Sequence, residues 1–309
     1  MHYFKEKTGF SIFTYCTSLR RNCMKMKIYI LFFTQIAFIF LIFLCSCNGK
    51  LKRKETQKSI LIEEGFESGT FPPLFKVSGN APEIVKVSDA REGNYVMRSE
   101  LNQSSKIPYR TEATIPPDKN FHFEVGKEYW VGISVKLGED FRDSAFNDKG
   151  MLFQWHYKSW RHPEVIGKQP LVIRYTDGKV GVQCEVFVTQ EPKKETYMAY
   201  AEPDYGQWVD WVIHLKFDNT NGIFDVWRNG EQIVDFEGDN HQKEMIEGTY
   251  MKFGLYSSQY KSLKPGNFSR VVYHDALRIA DSTGSYKLVA PKDNILFEDG
   301  ANAGMIIFK

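Results

Sequence analysis

The sequence predicts an all-β protein, a two-sheet β-sandwich wound as a jelly roll. Three observations carry that prediction. Segment after segment alternates apolar and polar residues with period two, or is enriched in β-branched and aromatic residues. Short turn signals separate the segments, among them Asp177-Gly178 and Asn229-Gly230, dipeptides suited to two-residue hairpins because both central positions tolerate positive φ. No long amphipathic helix and no internal repeat interrupts the series, and aromatic residues make up 15% of the 309 positions, which suits broad sheets better than a helical bundle.

In chain order, residues 24–47, "MKMKIYILFFTQIAFIFLIFLCSC", join a short basic start to a long apolar run ending in Leu44-Cys45-Ser46-Cys47. This resembles a bacterial lipoprotein signal peptide, spanning residues 1–46 and cleaved to leave a lipidated Cys47. Met24 or Met26 is the natural start of such a signal, which makes residues 1–23 an over-extended start. An uncleaved membrane anchor is the alternative, since the apolar run approaches bilayer length. Both readings place the domain outside the cytoplasm. The lipoprotein reading puts it at the cell envelope, periplasmic or on the outer-membrane surface, touching the membrane only through lipid. Residues 1–46 hold six of the basic residues and one acidic residue, leaving 34 basic against 37 acidic and a net charge of −3. That balance gives no support to nucleic-acid binding, and an anionic ligand would need a local cationic cleft. Beyond the signal only Cys47 and Cys184 remain, so no disulfide is expected. Cys184 alternates with Val182, Val186 and Val188 and is expected in the core.

Residues 47–59 are polar and basic and read as a flexible tether. The sandwich is expected over residues 60–280, as a monomer. Its strands are "NYVMRSEL", "EYWVGISVKL", "MLFQWHY", "LVIRY", "KVGVQCEVFV", "WVDWVIHLKF", "IFDVWRNG", "EQIVDF", "YMKFGLY" and "SRVVYHDALRI". In "GQWVDWVIHLKF", Val209, Trp211, Ile213, Leu215 and Phe217 form a core face, while Asp210, Val212, His214 and Lys216 form a wetter one. In "GMLFQWHYKSW", Met151, Phe153, Trp155 and Tyr157 fall on one side and Leu152, Gln154, His156 and Lys158 on the other. Residues 281–309 form a tail or an edge strand, the latter through "NILFED".

Three patches place polar chemistry opposite an apolar face. They are Gln154 with His156; Tyr250, Lys252, Gly254 and Tyr256 in "YMKFGLY"; and Arg110 with Glu112 in "PYRTEAT". Lys252 and Tyr256 lie ~13 Å apart along one strand face, and Gly254 between them leaves room for a ligand to approach the backbone. Singly, each patch is what solvated strands ordinarily carry, and His214 with Lys216 meets the same criterion.

Together, Arg-Thr-Glu, then Gln-x-His, then Tyr-x-Lys-x-Gly-x-Tyr resemble the concanavalin A-like, jelly-roll polysaccharide lyases, whose alginate lyases carry these motifs in this order. In flanking sequence, "KEYWVGISVKLGEDF", "LFQWHYKSW", "PLVIRYTDGKVGV" and "GQWVDWVIHLKFDNTNGIFDVWRNGEQIVDF" look like the group containing heparin lyase I and the glucuronan lyases. The resemblance spans residues 60–280 and implies β-elimination at C4 of a uronic acid in an anionic polysaccharide. The C5 proton becomes acidic only when the adjacent carboxylate is neutralised, which suits Arg110 by charge and Gln154 by amide donation. A base must take that proton and an acid must protonate the leaving O4. His156 and Tyr256 are the candidates.

Lys252, Tyr250, Lys158, Trp160 and Arg161 are candidate contacts to substrate, the last three from the loop "KSWRHPEVIGKQ". Arg98 in "VMRSEL" competes with Arg110, whose spacing to Gln154 is preferred. The chemistry requires no cofactor. A structural Ca2+ held by Glu67 in "EEGFESG" and Asp275 is the candidate metal site. Two other functions fit the fold: a sandwich that binds glycan without cleaving it, and a glycoside hydrolase. No strand offers the paired carboxylates that hydrolysis requires.

Overall fold

Two antiparallel sheets stack face to face. The computed structural model describes residues 59–102, 104–117, 121–142, 149–158, 169–176, 178–184, 187–188, 191–192, 196–261 and 269–292. The strands among them are β1 (Ile60–Glu64), β2 (Lys76–Gly79), β3 (Glu83–Lys86), β4 (Tyr95–Asn102), β5 (Arg110–Thr114), β6 (Glu128–Leu137), β7 (Lys149–Tyr157), β8 (Leu171–Thr176) and β9 (Lys179–Cys184). They continue with β10 (Phe187–Val188), β11 (Glu191–Pro192), β12 (Thr196–Ala201), β13 (Trp208–Lys216), β14 (Gly222–Arg228), β15 (Glu231–Gly238), β16 (Thr249–Tyr256) and β17 (Ser269–Asp281). One sheet runs β15-β14-β13-β6-β17-β4-β3, with β1 paired to the second half of β17. The other runs β12-β9-β8-β7-β16-β5-β2, and β10 pairs with β11 alone. The predicted all-β sandwich is therefore the fold.

The alternation works as expected where strands are regular. Val209, Trp211, Ile213, Leu215 and Phe217 from one sheet meet Phe153, Trp155, Met251, Phe253 and Leu255 from the other in a single buried cluster, which also takes in Cys184. Asn229 and Gly230 both adopt positive φ, 49° and 87°, at the β14–β15 turn. The wetter face of β13 is dry in its middle. Asp210 and Val212 are buried, Asp210 by Arg91 at 3.0 Å and Ser134 at 2.6 Å, Val212 by Val289 and Ala290. Those last two belong to or follow helix α1 (Tyr286–Val289), so the described start of the tail is a helical turn against a sheet face. "NILFED" and the cleavage region around Cys47 lie outside the described residues.

Period two fails on β7 at residues 151–153. The register with β8 and with β16 shifts there, so Leu152 and Phe153 both enter the core and Met151 turns to the other face. The assignment of Met151 to the core and Leu152 to the opposite face was thus reversed by a bulge, which adds a residue without a turn signal. His274 on β17 is fully buried against Phe253 and donates its Nε2 hydrogen to the Leu152 carbonyl at 3.0 Å, tying the opposite sheet to this irregular stretch.

Burial lowers the His274 pKa to about 4. An unfolded histidine takes up its proton near pH 6.5. The neutral ring therefore contributes stability in full above about pH 6.5, and that contribution is lost as the pH falls toward 4. Asp140 and Asp275, raised to about 6 by burial, act in the opposite sense. The effect of His274 is thus isolated by comparison with His274→Gln, which keeps a donor toward Leu152. The stability advantage of the wild type over this variant is expected to shrink by about 3 kcal/mol between pH 7 and pH 4. Urea titrations at both pH values measure it, and a pH-independent difference would contradict it.

Candidate active site

Strand β16 lies between β5 and β7, so the three polar patches share one face of one sheet. Lys252 sits opposite Gln154 on β7 and Thr114 on β5; Tyr250 sits opposite His156. Tyr256 sits opposite Arg110 on one side and Met151 on the other. Arg98 is on β4 in the other sheet, paired with Glu100 at 2.6 Å and Glu83 at 3.5 Å, so of the two arginines only Arg110 is on the sheet that carries Gln154.

The hub of the cluster is Glu112, which in sequence is marked only as the partner of Arg110. Its side chain is buried and accepts a 2.6 Å hydrogen bond from Gln154 Nε2. Its other oxygen forms an ion pair with Arg110 Nε at 3.3 Å that is not aligned as a hydrogen bond. Burial pushes the Glu112 pKa up, while Lys252, Arg110 and the Gln154 bond pull it down. Burial pushes the Lys252 pKa down, against the pull of Glu112, and Arg110 adds to the lowering. The signal that could have found this hub was in the motif itself, because a carboxylate that reaches both an arginine on its own strand and an amide two strands away orients both. With Lys252 charged and Glu112 ionised, Arg110, Lys252 and Glu112 sum to one positive charge, which an incoming carboxylate would balance.

The proton-transfer candidates flank this cluster. The His156 ring lies 5.4 Å from that of Tyr250, and its Nδ1 is 2.6 Å from the Tyr157 carbonyl. A carbonyl only accepts, so Nδ1 carries the hydrogen in the neutral ring and Nε2 carries the lone pair. Burial, with a further push from Glu112, raises the Tyr250 pKa to about 12, so Tyr250 remains a phenol at neutral pH. Tyr256 is half-buried, with the Arg110 guanidinium 4.4 Å from its ring centroid and Tyr109 edge-on at 6.4 Å. Gln154 has committed one amide hydrogen to Glu112 and keeps one to donate. Lys158 is half-buried just past the end of β7, while Trp160 and Arg161 lie outside the described residues.

Gly254 serves a different purpose from the one its place in the motif suggested. Its φ is 139°, and a Cβ there would stand 2.3 Å from the Thr111 carbonyl oxygen and 2.7 Å from Glu112 Cα. The missing side chain admits the backbone of β5 rather than a ligand. Gly254→Ala is expected to cost about 3 kcal/mol, combining an unfavourable φ with steric overlap. Thermal denaturation checks this, and an unchanged midpoint would contradict it.

The two candidate metal ligands anchor the same turn. Glu67 Oε1 accepts from the N–H groups of Asn94 and Tyr95, both at 2.8 Å. Asp275 accepts from Glu92 N–H at 3.0 Å and from Ala276 N–H at 2.6 Å, at the bulge of β17. Both carboxylates thus serve the turn through backbone N–H groups, with the two Glu67 bonds made by a single oxygen. Among the described residues no group of three or more His, Cys, Asp or Glu side chains could hold a metal ion. A cavity of about 580 Å3 opens beside Leu61, Phe121 and Tyr129, and none of the candidate residues lines it.

The model of the polysaccharide lyase family matches residues 66–278. No curated protein matches the chain significantly in sequence. In structure the chain is similar to an endo-β-1,4-glucuronan lyase from the fungus Trichoderma reesei, with 15% identity and a TM-score of 0.57 over 76% of this chain and 99% of that one. It is also similar to a family 7 alginate lyase, with 13% identity and a TM-score of 0.47 over 71% and 86% of the two chains. An alginate lyase from Pseudomonas aeruginosa gives 14%, 0.44, 70% and 90%.

Proposed function

The chain belongs to the polysaccharide lyase family, and from that premise we propose that it cleaves a uronic-acid-containing glycan by β-elimination across C4 and O4. The observation that carries this reading is the adjacency of β5, β16 and β7, which gathers a net-positive cluster and two proton-transfer groups on one sheet face. In this reading the uronate carboxylate meets Arg110, the remaining amide hydrogen of Gln154, and Lys252. Neutralising it makes the C5 hydrogen acidic. Glu112 fixes the orientation of Gln154 and Arg110 without touching substrate. The C5 proton passes to the base, the freed electron pair forms the C4–C5 double bond, and the C4–O4 bond breaks. The leaving O4 takes a proton from the acid.

Stereochemistry assigns those roles. In glucuronate and mannuronate, H5 and O4 lie on the same side of the ring, and Tyr256 serves as base and then acid, with His156 polarising it. In iduronate and guluronate they lie on opposite sides, and His156 Nε2 takes the proton while Tyr256 delivers one. The pattern of residues 24–47 supports a lipid anchor at Cys47, which would hold this activity at the cell envelope.

The test is a panel of β-1,4-glucuronan, alginate and heparan-type glycans, followed by the ultraviolet absorbance of the unsaturated product. Glucuronan and alginate are included because proteins of this fold act on them. Absorbing product from at least one polymer is expected, and none from any of them would overturn the reading.

A further inference from the structure

The register of the catalytic sheet continues past the cluster just described. Across six neighbouring strands, Arg110, Tyr256, Met151, Arg174, Gly181 and Tyr200 stand opposite one another in turn, from β5 to β12. Alternation on β8, β9 and β12 puts Ile173, Val182 and Ala199 toward the core. Arg174, Gly181 and Tyr200 therefore share the face that carries Tyr256. Arg174 is half-buried, and its Nη1 donates to Gln183 Oε1 at 2.7 Å, which steadies a cation two strands from Tyr256. Gly181 leaves a gap that the Tyr200 ring covers, since a Cβ there would stand 3.2 Å from Tyr200 Cδ1 and 3.3 Å from Cε1. The ring thus rests on the sheet while 53% of the residue stays exposed.

An exposed aromatic ring braced on a backbone is a platform for the apolar face of a sugar, and a guanidinium beside it suits an acidic one. Strands lie ~4.8 Å apart, which places Tyr200 ~19 Å from Tyr256 across the sheet. That strand spacing is comparable with the length of one pyranose unit in a 1,4-linked chain.

The geometry points to a distal subsite in which Tyr200 stacks on a sugar about four units from the reacting bond, with Arg174 pairing with a uronate between them. This inference rests on the lyase function proposed above. It extends the site across the strands, so that chain length becomes part of substrate recognition.

The test compares wild type, Tyr200→Ala and Tyr200→Phe on a full-length uronate polymer and on oligomers too short to reach from Tyr256 to Tyr200. Tyr200→Ala is expected to lower kcat/KM about tenfold on the polymer, mainly through KM, and to leave the short oligomers unchanged. Tyr200→Phe, which keeps the ring, is expected to behave as wild type on both. Equal losses on long and short substrates would mean a structural role and overturn the subsite. So would an unchanged Tyr200→Ala, or a Tyr200→Phe as impaired as Tyr200→Ala. A wild type that releases no unsaturated product from any uronate polymer overturns the lyase reading and the subsite with it. A wild type that is active beside an unimpaired Tyr200→Ala overturns the subsite alone.

Discussion

Tyr256→Phe is expected to lower kcat about a hundred- to ten-thousandfold, the range of a lost general acid or base. The substitution removes one hydroxyl and keeps the ring on which Arg110 rests at 4.4 Å, so stability should change little. The comparison with His156→Gln separates the two stereochemical cases. On a glucuronate or mannuronate polymer, where the proposed mechanism gives Tyr256 both proton transfers, Tyr256→Phe should be the more damaging. On guluronate or iduronate the two variants should fall together, because each removes one of two required transfers. Steady-state rates on both polymer types, with melting temperatures as a control on folding, measure this. A Tyr256→Phe enzyme within a few-fold of wild type would remove Tyr256 from the mechanism.

Arg110→Ala is expected to reduce kcat/KM about a hundred- to a thousandfold, as for other groups aimed at developing negative charge. The loss has two parts that Arg110→Lys can distinguish. Lysine keeps a charge to neutralise the uronate carboxylate but loses the planar group that stacks on Tyr256 and pairs with Glu112 at 3.3 Å. An intermediate rate for Arg110→Lys is expected, with more recovery in KM than in kcat. If Arg110→Lys is no better than Arg110→Ala, the stacked geometry outweighs the charge. If Arg110→Ala keeps wild-type efficiency, carboxylate neutralisation lies with Lys252 and Gln154 alone. Removing Arg110 also alters the balance around Glu112, whose buried carboxylate would then rely on Lys252 and the Gln154 hydrogen bond.

The apolar faces of β7, β13 and β16 were largely legible in the sequence because alternation groups the large apolar side chains, although the opposite face of β16 is buried as well. Gln154, His156, Lys252 and Tyr256 were placed on polar faces for that reason. What alternation cannot record is which strands are neighbours. The insertion of β16 between β5 and β7 joins it to segments roughly 140 and roughly 100 residues earlier, and only the motif resemblance hinted at it. Bulges also leave no local mark, so Met151 and Leu152 were assigned to the wrong faces. Glu112 was visible as a residue but not as a hub, because its value comes from Gln154 on a strand that it does not pair with. The cover over Asp210 and Val212 leaves no local mark because it comes from Arg91 and from the end of α1 with the residue after it, all distant in sequence. Arg174 and Tyr200 belong to strands whose alternation reads as ordinary, and their alignment with Tyr256 exists only in the folded register.

Gly254 also keeps the alignment of the reactive strand honest. Sheets misalign by whole residues, and a slip of one on β16 would turn Tyr250, Lys252 and Tyr256 inward and Met251, Phe253 and Leu255 outward. Beside Thr111 and Glu112 the backbone leaves no space for a Cβ, so neither Phe253 nor Leu255 can take the glycine's place. The most damaging misalignment is thereby blocked by a residue packed on backbone rather than on sugar. Fidelity of pairing is consequently held by a position other than those proposed to meet the substrate. Exchange of the side chains at 250 and 252 is therefore expected to leave the strand in register, which thermal denaturation of such variants checks.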